Sequence, residues 1–439
     1  MCRRADDSLQ AVDIGGKRPV VQELVPYRWE LLALLWFAFL FNQADRAMFG
    51  FVMPLIKDDL ALTDVQLGIV ASTFHLFYGV LAPVAGYAGD VFRRSRVVVA
   101  SIATWSLATL LTGFSTRMAH LVLLRGASLA LGEAFYLPSA SALIGQYHEK
   151  TRAFAMSIHQ TALYAGMIGS GAVAGYLGDR YGWRCPFAVF GGLGLLWATL
   201  MFFRLKDPAP ADTASPVPQK SQAPGIPLRE VIGAVSRKKS VLALCLVFGC
   251  LVFVNVGYIT WMPTLLHENF NMTLAQAGFS SMFYHVVFAL FGVLAGGKIS
   301  DFLAQRRPGG RLTVEALGFL FCAPFIYLMG TSQNLHFLLA GVAGFGLFRG
   351  ICDSTFFAAL FDVIEEKYRS SSMGLVVSVG LFVGSTAPIA LGWIKTNVGL
   401  STGIALMSAV SLAGAAITAF TLLLPFRRDY VAPGAKDGQ

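Results

Sequence analysis

Charge is what this chain has least of. Acidic and basic side chains make up 13% of its 439 residues, whereas 55% are hydrophobic, and a soluble domain carries about 25% charged residues. A soluble globular protein is therefore excluded. The first 25 residues hold no apolar run, so a cleavable signal peptide is not expected and targeting rests on the first apolar helix. The six cysteines, at 2, 185, 245, 250, 322 and 352, show no CxxC or Cys/His spacing. They read as packing residues, and neither a metal centre nor a resident cofactor is expected. No nucleophile sits beside a base, so the pattern argues against an enzyme.

What the chain does have is apolar blocks of about 20 to 30 residues, each long enough to cross a hydrocarbon core of about 30 Å as a helix. The blocks are continuous rather than alternating, which excludes a transmembrane barrel. Helices are expected at 30–56, 65–90, 96–115, 119–146, 153–177, 184–204, 240–266, 274–302, 312–330, 335–363, 370–394 and 401–425. The fold class is all-α integral membrane, with twelve transmembrane helices in two parallel-repeat six-helix bundles. The bundles span 30–204 and 240–426, with tails at 1–29 and 427–439. Between them, 205–239 holds Pro208, Pro210, Pro216, Pro218, Pro224 and Pro227 and the run Arg237, Lys238, Lys239, the composition of a polar linker. Tails and even-numbered loops carry 25 Lys and Arg against five in the opposite loops, which sets both termini in the cytoplasm. The net charge of +9 thus belongs to the membrane surface rather than to nucleic acid. Short loops and tails point to a bacterial inner membrane, and the chain is expected to act as a monomer. Asn271-Met272-Thr273 is a glycosylation pattern on the outer face, relevant only in a secretory pathway.

Four basic residues remain inside or at the edge of helices: Arg46, Arg125, Lys298 and Arg349. Helix 1 carries Asn42-Gln43-Ala44-Asp45-Arg46, an acid and a base mid-span, each needing a partner or a wet cavity. Adjacent residues point about 100° apart, so Asp45 and Arg46 face different neighbours. Helix 4 adds Arg125 and Glu133, and helix 10 adds Arg349 and Asp353 at i and i+4, a spacing that pairs on one face. Every mid-membrane charge is thus expected on helices 1, 4 and 10, with Asn255, Tyr258, Thr260 and Trp261 contributed by helix 7. This distribution reads as the lining of a midplane cavity. Weaker candidates for the same lining are His75 and Tyr78, His159, Gln160 and Tyr164, and Tyr284 and His285. Gly171-x-x-x-Gly175 and Gly292-x-x-x-Gly296 read as close helix packing.

The halves also repeat one another. Helix 2 ends Ala85-Gly86-Tyr87-Ala88-Gly89-Asp90 before Arg93-Arg94, and helix 8 ends Gly297-Lys298-Ile299-Ser300-Asp301 before Arg306-Arg307. Gly86-x-x-x-Asp90-x-x-x-Arg94 resembles the loop signature of the Major Facilitator transporters. That resemblance implies a gating role for Gly86, Asp90, Arg94 and, in the repeat, Asp301. Val91 and Arg93 stand where that signature has arginine and glycine. Asn42 to Arg46, Met53-Pro54-Leu55-Ile56, Gly132-Glu133-Ala134 and Gly182-Trp183-Arg184 resemble the anion:cation symporter branch, which carries sugar acids and related carboxylates. Val80-Leu81-Ala82-Pro83-Val84 with Gly86-Tyr87 instead looks like the Spinster branch, linked to lysolipid and sphingolipid movement. The likeness covers residues 40–207.

The symporter resemblance implies that Arg46 and Arg125 contact the substrate carboxylate and that Asp45 and Glu133 carry protons, the proton being the coupling ion. The expected partners are a small organic anion, the proton and the bilayer. In that branch seven residues separate the helix 4 arginine from the glutamate, not eight. The extra residue turns Arg125 by about 100° unless the helix carries a local bulge. The resulting expectation is proton-coupled symport of an organic anion by alternating access. Its rivals are a Spinster-like lipid or drug transporter and a non-transporting sensor on a transporter scaffold.

Overall fold

The computed structural model describes residues 20–148, 151–207, 233, 236–365 and 368–431. Among the described residues there are helices and no strand. The long helices are α1 (Val20–Asp59), α2 (Asp64–Val91), α3 (Arg94–Thr112), α4 (Met118–Tyr147), α5 (Arg152–Tyr181), α6 (Arg184–Arg204), α7 (Lys239–Phe270), α8 (Leu274–Arg306), α9 (Gly310–Thr331), α10 (Leu335–Phe361), α11 (Arg369–Gly384, continued by Thr386–Asn397) and α12 (Leu400–Leu423). A short α13 (Phe426–Asp429) follows. The protein is a twelve-helix membrane protein of two six-helix bundles. Most ends fall within a few residues of the expected ones; α1 starts at Val20 rather than near 30. Most of the expected linker lies outside the described residues.

Ten of the long helices are apolar enough to cross a membrane on composition alone. The other two, α1 and α5, carry polar residues along their length, and both contribute to the cavity described below. Large apolar side chains such as Phe202, Phe203, Leu196 and Tyr327 point outward, as lipid-facing positions do.

The repeat goes deeper than the loop motif. At the start of α2, Thr63 Oγ1 accepts from Gln66 N at 3.2 Å and Gln66 Oε1 accepts from Thr63 N at 2.8 Å. At the start of α8, Thr273 and Gln276 make the same reciprocal pair at 3.2 Å. Each box satisfies two backbone donors that a helix start leaves open. Two residues before each threonine stand Ala61 and Asn271, the described non-glycine residues with positive φ, at 49° and 51°. Both loops therefore turn through the left-handed region, a conformation asparagine tolerates better than alanine.

Contacts between the bundles gather at the end carrying the α1–α2 and α7–α8 connections. Asp179, near the end of α5, accepts from Leu274 N and Ala275 N of α8, both at 3.2 Å. Lys395 of α11 reaches Asp64 at 3.1 Å and Glu268 at 2.7 Å. A Cβ on Gly171 would stand 2.5 Å from the Gly278 carbonyl oxygen, and one on Gly278 would stand 2.6 Å from that of Gly171. Two glycines back to back thus let α5 and α8 touch backbone to backbone. One apolar cluster fills each bundle, and a third, around Phe51, Met53, Trp261 and Leu265, bridges the two at this end.

Candidate functional site

A cavity of about 310 Å³ lies between the bundles. From the first half, α1 contributes Gln43, Arg46 and Phe49, α2 contributes Phe74 and His75, and α4 contributes Arg125. From the second half, α7 contributes Val252, Asn255, Val256, Ile259 and Thr260, and α10 contributes Arg349. The α7 positions at 252, 255, 256 and 259 are one face of a helix.

How Arg125 reaches the cavity is a matter of backbone. Residues Val122–Ser128 of α4 form a π-helical turn, and Arg125 lies inside it. In a regular helix, eight residues would leave Arg125 about 80° out of line with Glu133. A single wide turn absorbs the extra residue and restores the alignment. Both side chains then act on α1: Arg125 Nη2 donates to the Asp45 carbonyl oxygen at 2.8 Å, and Glu133 meets Arg46. Gly126, also in the turn, permits close approach to Thr73 of α2, because a Cβ there would stand 2.7 Å from the Thr73 side chain.

The charged groups form a compact set. Arg46 donates from Nε at 3.0 Å and from Nη2 at 2.7 Å to one oxygen, Glu133 Oε2. Its guanidinium lies 5.0 Å from the Phe74 ring centre and 5.2 Å from that of Tyr78. Arg125 is similarly set between Phe49 at 5.8 Å and Phe187 at 5.5 Å. Such faces stabilise a cation where water is scarce. Asp45 is 1% exposed, and its carboxylate, close to Thr109, makes no well-formed hydrogen bond. Glu133 and the Asn42 amide stand close without a well-formed bond between Oε1 and Nδ2, and Arg125 Nε and Nη1 are buried and unpartnered. Leaving so much polar capacity unused in one place costs stability. It fits a site built to take up a proton and a polar ligand.

The other candidates divide. His75 lines the cavity, its Nδ1 directed at the Ala71 carbonyl at 3.2 Å, and Tyr78 stands over Arg46. Asn42 accepts from Gln43 Nε2 at 2.8 Å. Arg349 lines the cavity and pairs with Asp353 at 3.0 Å. Tyr164 is outside the lining but within electrostatic reach of that pair, and Gln160 is exposed on α5. Tyr258 is fully buried and donates to the Ser281 carbonyl at 2.5 Å, facing α8 rather than the cavity. Tyr284 packs edge-on against Phe283, away from the lining. Trp261 donates to the Pro388 carbonyl at 3.1 Å. His159 stacks on Phe39 and contacts the Tyr136 hydroxyl at 3.2 Å, and His285 stacks on Phe345. In the gate motif, the surroundings of Gly86 and the side chain of Asp90 lie outside what is described, and Arg94 is engaged. Asp301 is 3.4 Å from Arg311, which also holds Asp362 at 2.5 Å.

One buried charge lies outside the expected set: Glu315, in the second turn of α9, is wholly buried. It falls inside the expected helix 312–330, and its burial comes from packing against α10. The aromatic rings at Phe49, Phe74 and Phe187 were also missed. Phe49, one turn after Asp45, carried the available signal.

The sequence profile described as Major Facilitator Superfamily matches residues 35–388. The chain is 22% identical over 415 residues to a hexuronate transporter of Bacillus subtilis, covering 92% of this chain and 96% of that one. It is 24% identical over 445 residues to a probable galactarate/D-glucarate transporter of Escherichia coli, covering 94% and 97%. Protein spinster homolog 1 of Xenopus tropicalis is 28% identical over 334 residues, which are 71% of this chain but 62% of that protein. Among solved structures, a bacterial homologue of the human lysosomal transporter Spinster, inward-facing and unoccupied, superposes with a TM-score of 0.80 at 19% identity, covering 93% of this chain and 99% of that one.

Proposed function

The chain belongs to the Major Facilitator Superfamily and is a membrane transporter rather than an enzyme, and we propose that it carries a small organic anion in symport with protons. The observation that carries this reading is the Arg46–Glu133 pair spanning α1 and α4 on the cavity side, beside Arg125 and the buried Asp45 carboxylate. While Glu133 is ionised, it neutralises Arg46. A proton on Glu133 removes that charge and frees Nε and Nη2, the two donors that can grip a carboxylate as a fork. Asp45, whose backbone carbonyl holds Arg125 Nη2, has its carboxylate in the field of that cation. Each proton therefore creates the binding site for the anion, and each anion stabilises the protonated acid. This reciprocity is the linkage a symporter requires.

Relatives named for hexuronate and for galactarate or glucarate support a carboxylate as cargo. With both termini cytoplasmic, the gathered contacts at Asp179, Lys395 and the Gly171–Gly278 crossing form the closed external side, and the protein is inward-facing. The test is reconstitution in liposomes with a panel of carboxylates. Wild type should concentrate one of them on an imposed pH step, whereas Asp45→Asn and Glu133→Gln should exchange it without accumulation. Unimpaired accumulation by both variants would sink the assignment.

A second reading, movement of a lysolipid, is favoured by the apolar walls at Phe49, Phe74, Leu163, Met167, Val252 and Ile259, which offer few partners for sugar hydroxyls. Thermal-shift measurements separate the two. Stabilisation by lysolipids and none by any sugar acid or dicarboxylate selects the lipid.

A further inference from the structure

Glu315 lies on α9, one turn beyond Arg311. It is 0% exposed, and no ion pair involves it among the described residues. Oε2 takes a hydrogen bond from Thr355 Oγ1 of α10, and Oε1 has no partner. An ionised carboxylate so enclosed and unpaired is costly, and the neutral acid is the form this environment accepts. The groups around it do not change this. On α10 the ionisable neighbours are Cys352, whose Sγ contacts the Glu315 carbonyl at 3.8 Å, and Asp353, an acid. The other main packing partner, α12, contains no ionisable side chain. On α8, Lys298 is exposed and Asp301 is held by Arg311.

Arg311 is the one cation within a helical turn. Its Nη1 and Nη2 are bound to Asp362 and Asp301, whereas its Nε is buried without a partner. Arg311 Nε and Glu315 Oε1 are thus two unmatched polar atoms at i and i+4 on one helix, where side chains can meet. The aspartates holding Arg311 sit at the ends of α8 and α10, at the gate motif of the second half. A movement that carries Asp301 or Asp362 away from Arg311 loosens their hold on it.

We propose that Glu315 is a second proton-binding site, in the C-terminal bundle, loaded while Arg311 is held by Asp301 and Asp362 and emptied when Arg311 is released to it. Rearrangement of this gate motif and proton release are then one event, remote from the Arg46–Glu133 site. The role in transport rests on the symport reading above; the protonation state does not.

The test uses the full-length protein in lipid nanodiscs and its infrared carboxylic-acid C=O band at neutral pH. Glu315→Gln, nearly isosteric, should remove a band that Glu133→Gln leaves in place; a spectrum with no such loss overturns the assignment. Asp362→Asn, which loosens Arg311, should weaken the same band, and full intensity there overturns the Arg311 link. In liposomes, Glu315→Gln should carry one proton fewer per anion, and an unchanged ratio removes the site from the cycle. Absence of proton-coupled uptake in wild type would sink the cavity reading instead, with the infrared result still deciding the state of Glu315.

Discussion

The two bundles share a fold and a repeat but hold their charges differently. In the first, Arg46 and Glu133 come from different helices, and Arg125 reaches α1 from α4. In the second, Arg349 and Asp353 lie on α10 alone. A pair between helices reports their relative position and breaks when they move. A pair within one helix moves as a unit and reports nothing. Coupling of charge to helix movement at the cavity is therefore assigned to the first half, and the second half supplies a fixed cation.

The largest effect expected from that contrast is at Glu133. Glu133→Gln keeps an acceptor for Arg46 but removes the titrating group, so pH-driven accumulation should fall to the level of protein-free liposomes while exchange persists. Asp353→Asn, the matching change in the other half, should leave accumulation within a few-fold of wild type. Equal losses would erase the distinction between the bundles.

Next in size is a pair of single-residue deletions. Removing Ala127 from the π-helical turn should turn α4 into a regular helix with Arg125 and Glu133 still aligned, because the turn exists to absorb one residue. Removing Ile351 from α10 has no such reserve and rotates Arg349 by about 100° relative to Asp353 and everything after it. Uptake should be close to wild type in the first and lower by about tenfold or more, the equivalent of 1.4 kcal/mol, in the second. Similar losses in both would mean that the π turn does not set the register.

These contrasts also mark what the sequence made legible. The twelve helices follow from apolar run length, a local property. The cavity helices follow from charges too costly to leave in lipid, which is why Asp45, Arg46, Arg125, Glu133 and Arg349 stood out. The π turn is a hydrogen-bonding pattern invisible to hydropathy, and only the eight-residue spacing hinted at it. Tyr258 is a different case, since the face 252, 255, 256 and 259 excludes 258 by helical geometry. Identifying that face required knowing which neighbour α7 turns toward the cavity. Glu315 was hidden because burial depends on α10 packing over it, a long-range contact.

A smaller effect is expected at Arg125. Lysine keeps the charge but loses the planar fork and its seat between Phe49 and Phe187. A hydrogen bond to a charged group is worth about 1.5–3 kcal/mol, so Arg125→Lys should raise the KM for a carboxylate by about 10- to 100-fold. The proton requirement should be unchanged, because both acids remain. Loss of pH dependence in this variant would place Arg125 in the proton step rather than at the anion.

The smallest effect is on stability. The Arg349–Asp353 pair is partly exposed, with side-chain exposures of 21% and 32%, and pairs at this spacing contribute about 0.2–0.5 kcal/mol. Asp353→Asn should therefore lower the melting temperature by only about 1 °C. It also leaves Arg349 uncompensated on the cavity wall, opposite Arg46 and Arg125, so anion affinity should rise slightly even as stability falls. A fall in affinity would mean that Asp353 holds Arg349 in its working position, and the second bundle would then have a working charge pair at the cavity.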